Sequence, residues 1–73
     1  MENEMNEMKK KAQFYFENKI TIHIDTKDKQ FYNGLIIEIS ETSLIINDRV
    51  LGEVYVSFYE IESLEKFRGR GME

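Results

Sequence analysis

The chain reads as a mainly β domain: a small five-stranded antiparallel sheet, curled into a barrel, behind one N-terminal α-helix. Three observations predict this. Hydrophobic periodicity changes from helical spacing to alternation near Lys19. Short alternating runs then follow one another, separated by polar turns. Finally, 73 residues without Cys make one domain with little room for anything else.

Residues 1–18 form the predicted helix. Met5, Met8, Ala12 and Tyr15 recur at helical spacing, with Phe16 beside the stripe. Glu2, Glu4 and Glu7 precede Lys9, Lys10 and Lys11, an order that complements the helix dipole. Residues 19–67 form the predicted barrel. In "KITIHID", Ile20, Ile22 and Ile24 alternate with Thr21, His23 and Asp25, which marks a half-buried strand. "TKDK" is a polar turn without Gly. "QFYNGLIIEIS" is a long second strand, bulged or bent at Gly34. "SLIIN" is the third strand, "DRVLG" a tight connection and "EVYVSF" the fourth strand. "YEI" is a single turn, "ESLEKF" the fifth strand, and residues 68–73, "RGRGME", a flexible tail.

A chain of this size buries only about 60% of its unfolded surface. Small scaffolds therefore recruit disulfides, metals or oligomerisation. No Cys and one His remove the first two, which leaves oligomerisation. "EVYVSF" points the same way. Val54, Val56 and Phe58 take one face of the strand, and Tyr55, Ser57 and Tyr59 the other. The strand has no Pro and one charge, so at a sheet edge it lacks the usual protection against pairing with another chain.

The formal net charge of −4 counts against strong nonspecific binding of nucleic acid through phosphates. The polar N-terminus and the lack of a long apolar run predict a cytoplasmic protein without a membrane partner. No cofactor, metal or enzymatic activity is expected. A lone His23 on the polar face of a strand, with no Cys and no spaced nucleophile, makes no catalytic triad. The carboxylates, Asp25, Asp28 and Asp48 among them, fall at turns and polar strand positions, where solvated carboxylates are expected. "DTKDKQ" lacks the Gly and the closing Glu of a Ca²⁺ loop. Arg68 and Arg70, in "RGRG", with Lys66 nearby, form a short RNA-binding type of segment, or else a solubilising tail.

The segment "KITIHIDTKDKQFYNGLIIEISETSLIIND", behind its helix, resembles the first motif of the Sm-like (LSm) family of small RNA-associated barrels. Tyr32, Gly34 and Leu35/Ile36 match its aromatic-x-Gly-x-hydrophobic bend, and "VYVSFYEIESLEKF" stands where the second motif belongs. The resemblance implies an Sm-like barrel and a homo-oligomeric ring, in which the fourth strand pairs with the fifth of the next subunit. It places Val54, Tyr55, Val56, Tyr59, Ile61 and Leu64 at the subunit contact. It also implies a single-stranded RNA partner, with Tyr32, Asn33, Ser43, Lys66, Arg68 and Arg70 as candidate contacts and Asn47 near them. Ser40, Glu41 and Ser43 replace the usual Asp and Asn of the third turn, and Ser57-Phe58 replaces the usual Arg-Gly. The residues that read uridine in the family are thus unmatched. A second expectation is a protein-interaction or structural ring of the wider SH3-like barrel type, without RNA.

Overall fold

The computed structural model describes residues 2–68, and side chains from residue 6 onward. Helix α1 (Glu2–Glu17) precedes five strands: β1 (Ile22–Thr26), β2 (Phe31–Ile39), β3 (Ser43–Asp48), β4 (Gly52–Ser57) and β5 (Ile61–Lys66). A 3₁₀ turn, Phe58–Glu60, joins β4 to β5. The strands form one antiparallel sheet in the order β4-β3-β2-β1-β5. β4 and β5 are its two edges and do not pair with each other, so the sheet is open.

The core lies on one face of this sheet. Ile22 and Ile24 of β1, Leu44 and Ile46 of β3, and Leu64 of β5 are fully buried there, with Val56 of β4 and Phe58 beside them. Helix α1 closes that face. Ala12 is buried in the core, and Met8 and Tyr15 pack against it, as helical spacing requires. Met5 precedes the described side chains. Phe14 and Phe16 remain exposed, because three consecutive rings cannot share one helical face. Lys9–Lys11 sit mid-helix, and no basic residue occupies the last turn. Their role is therefore not dipole pairing at a terminus. Lys9 reaches Glu41 at 3.6 Å and Lys11 reaches Glu65 at 3.2 Å, pinning the helix to the sheet with exposed ion pairs. Each such pair contributes about 0–1 kcal/mol.

Strand β1 starts two residues after the first alternating Ile because the helix ends in a cap of its own. Lys19 has φ 53°. Its N–H donates to the Phe16 carbonyl, and the Ile20 N–H donates back to Tyr15. This is the Schellman arrangement, with Lys where Gly is usual. Lys19→Gly is expected to stabilise the fold by about 0.5–1 kcal/mol, since the left-handed conformation strains any side chain with a Cβ. Urea unfolding checks this, and an unchanged or lower midpoint refutes it.

The β1–β2 turn has the same character. Lys29 has φ 72°, and its N–H donates to the Thr26 carbonyl at 3.1 Å. The Thr26 hydroxyl donates to Asp28 and accepts from the Gln30 N–H, which explains how a turn without Gly is held.

The bulge in β2 is not at Gly34. The register slips between Ile36 and Glu38. Gly34 instead pairs with Ile22 on one side and Asp48 on the other. It is buried where β2 and β3 come too close for a side chain: a Cβ there would lie 2.0 Å from the Asn47 carbonyl oxygen.

Candidate nucleic-acid interface

The expected RNA contacts fall at two places. Asn33 stands near the start of β2, where its N–H donates to Asp48 Oδ1 at 2.8 Å and its carbonyl accepts from the Arg49 N–H at 2.9 Å. Arg49, in the β3–β4 turn, lays its guanidinium 5.4 Å from the centre of the Phe67 ring. Phe67 follows Lys66, which pairs with Ile22, itself opposite Gly34. Asn33, Arg49, Lys66 and Phe67 thus share one rim of the sheet, and Arg68 continues from it as an exposed residue. Three cations, an amide and an aromatic ring form a surface suited to phosphate and base contacts. Sequence reading missed Arg49 and Phe67. Arg49 was visible only as one residue of a tight connection, and the ring beneath it comes from the far end of the chain.

Ser43 lies elsewhere. It stands at the opposite end of the β2–β3 hairpin, buried, with its Oγ 2.9 Å from the Ser40 Oγ. Tyr32 is half-buried and packs against the core. Asn47 is exposed on β3, opposite Leu35. Arg70 lies outside the described residues. The pocket expected from Tyr32, Asn33, Ser43 and Asn47 is therefore not one pocket.

Around Ser43 a second surface forms. The Phe58 N–H donates to the Thr42 carbonyl at 2.9 Å, which brings the 40–42 turn against the 58–60 turn. Ser57 accepts from the Tyr59 N–H at 3.2 Å and holds the 3₁₀ turn, leaving the Tyr59 ring exposed. Phe58 turns inward to the core.

His23 is more engaged than a bare surface residue. Its Nδ1 is 2.5 Å from Asn33 Oδ1, its Nε2 is 3.2 Å from Asp25 Oδ1, and Phe31 stacks on its ring at 6.0 Å. The Ser63 hydroxyl donates to Asp25 Oδ2 at 3.1 Å. The carboxylate thus stands between imidazole and hydroxyl. His23 has no path to take a proton from Ser63, and the group orders three strands rather than activating a nucleophile.

Asp48, expected to be a solvated turn carboxylate, is buried, with 8% exposure. Burial pushes its carboxyl up. The backbone N–H groups of Leu51, Asn33 and Val50 outweigh that and hold it below the usual Asp range.

Among the described residues, no three His, Cys, Asp or Glu side chains gather closely enough to hold a metal ion. No described helix is long and apolar enough to cross a membrane. No protein-family model, curated protein or solved structure matches the chain.

Proposed function

We propose that the chain is an Sm-like, ring-forming scaffold that associates with single-stranded RNA, its sheet curled into a partly open barrel. The observation that carries the ring is the strand order. β4 and β5 are the two free edges, and the three strands between them are paired on both sides. An edge contact from β4 of one copy to β5 of the next is heterologous, and repeated around an axis it closes. Val54, Tyr55 and Val56 line the first edge, and Ile61 and Leu64 the second. A groove of about 460 Å³ lies beside β5, with Met8, Lys11 and Ser63 among its lining residues. RNA association is supported by the Arg49, Lys66 and Arg68 rim, which a ring would repeat once per copy, so that weak contacts add.

Light scattering after size-exclusion of nuclease-treated protein tests the ring. A stable assembly of one fixed size, about five to eight copies, is expected, since a heterologous contact that closes fixes the number of copies. Tyr55→Lys with Val56→Glu is expected to give monomers or insoluble chain, and an unchanged oligomer removes β4 from the contact. For RNA, a U-rich oligonucleotide is expected to bind more weakly as salt rises. Arg49→Ala/Lys66→Ala/Arg68→Ala is expected to cost at least about tenfold in affinity, from lost phosphate contacts. Unchanged affinity sinks the rim as the site.

A second reading, a protein-binding ring without RNA, draws on the surface around Ser43. Glu41 and Glu60 are exposed there, and Glu41 pairs with Lys9 at 3.6 Å.

A further inference from the structure

The face of the sheet turned away from the core carries an apolar patch with acidic corners. Leu35 and Ile37 of β2 are 41% and 42% exposed, and Tyr55 of β4 is 67% exposed. Half-buried Ile45 of β3 lies between them. The β2 register makes this patch. Ile36 opposes Ile46 on the core side, and Glu38 opposes Ile45, so Ile37 is the extra residue of the bulge. A bulge sets two residues against one, and both Ile37 and Glu38 then stand over Ile45 on the outer face. Register runs Glu38–Ile45–Tyr55 across three strands, and Leu35–Asn47–Glu53 on the rung two residues along.

Glu38 and Glu53 therefore sit at diagonal corners. With strands ~4.8 Å apart and ~3.4 Å per residue, these corners are about 12 Å from each other. Both carboxylates are exposed, and neither belongs to an ion pair found among the described residues. No strand residue on this patch is basic, and the whole chain carries fourteen Asp and Glu against ten Lys and Arg.

We propose that this outer face docks an amphipathic helix of a partner protein, one with an apolar stripe and two basic residues about two turns apart. A sheet face is covered by a helix layer, as α1 covers the other face here. Lysines at i and i+7 lie about 10.5 Å apart along a helix, close to the carboxylate spacing. The two carboxylates repel nucleic acid phosphates, so this face is distinct from the basic rim. A second copy, with its own net negative charge, is a poorer electrostatic match. The inference does not depend on the ring, because pairing at a sheet edge leaves the face open.

The test is an NMR titration of the ¹⁵N-labelled full chain with two synthetic amphipathic helical peptides. They share one Leu/Ala stripe and differ only in Lys or Glu at the two flanking positions. The Lys peptide is expected to shift the amides of Leu35–Glu38, Ile45 and Glu53–Tyr55. Glu38→Gln/Glu53→Gln is expected to weaken it at least tenfold, and Glu38→Lys/Glu53→Lys to abolish it. Equal binding of the Glu peptide, shifts confined to other surfaces, or no binding of either peptide overturns the proposal. So do shifts at this face that follow protein concentration alone, which identify a second copy as the cover, or shifts there with U-rich RNA.

Discussion

Gly34→Ala is expected to lower stability by about 3–5 kcal/mol, out of a total of roughly 4–11 kcal/mol for a chain of this length. The added Cβ would meet the Asn47 carbonyl oxygen at 2.0 Å and its carbon at 2.8 Å. Both atoms are backbone, so no side chain can swing aside. β2 and β3 must separate by more than an ångström at the point where Gly34 pairs with both Ile22 and Asp48. Overpacking alone costs about 1–3 kcal/mol. Each ladder hydrogen bond lost with the separation adds about 1 kcal/mol. Gly52→Ala is the control. Gly52 has φ 86° with nothing within 4 Å of its would-be Cβ, so the change costs only the conformational strain, about 1–2 kcal/mol. Urea unfolding of the two variants separates the effects. If Gly34→Ala costs no more than Gly52→Ala, the close approach of β2 and β3 is not what requires glycine.

Gly34 also shows where reading the chain as a sequence reaches its limit. A glycine inside "YNGLIIEI" signals something special, but not which thing. A bend and a close backbone approach both suit it. The bulge left its own trace three residues later. Apolar residues facing the core change parity from Ile36 to Ile39, and only an extra residue between them allows this. The helix, the five strands in chain order and the inward faces of Ile22, Ile24 and Val56 were legible because period and polarity agree along those elements. The start of β1 was not. Lys19 and Lys29 hold left-handed positions normally marked by Gly, so neither turn announced its geometry.

Of the candidate site, the local part was legible and the assembled part was not. Lys66 and Arg68 stand out in any reading of charge. That Arg49 covers Phe67 beside them depends on β5 returning next to β1, and on β1 pairing β2 near the β3–β4 turn. Ser43 went the other way. Its place near the third turn was right, but a 2.9 Å contact with Ser40 keeps its hydroxyl within the protein. Tyr55 and Tyr59 were expected on the face opposite Val56 and Phe58; both rings are exposed, 67% each, Tyr55 on the outer face of β4 and Tyr59 in the 3₁₀ turn that follows it.

Asp48→Asn is expected to cost about 2–4 kcal/mol at pH 7, and less in acid. The carboxylate accepts three backbone N–H groups: Asn33 on Oδ1 at 2.8 Å, and Val50 and Leu51 on Oδ2 at 2.9 Å each. It therefore ties the start of β2 to the β3–β4 turn and holds the base of the Arg49 rim. Hydrogen bonds to a charged group contribute about 1.5–3 kcal/mol each, less here because the turn donors regain water once released. An amide of the same shape has one oxygen, and its NH₂ group must face donors on the other side. The pH dependence follows from the lowered pKa of Asp48 in the folded chain. Above the unfolded Asp value, about 3.9, the unfolded chain binds no more protons there than the folded one, and the stabilisation is complete. As pH falls through that value and then through the lower folded value, the unfolded state gains the proton first and the stabilisation is lost. The amide of the variant does not titrate, so the gap between wild type and variant should close over this range, while carboxylates away from this site cancel in the difference. Urea unfolding of both proteins at pH 7, 5, 3.5 and 2.5 measures it. A gap that stays constant with pH would mean that the variant suffers from an amide NH₂ facing backbone donors and not from the lost charge.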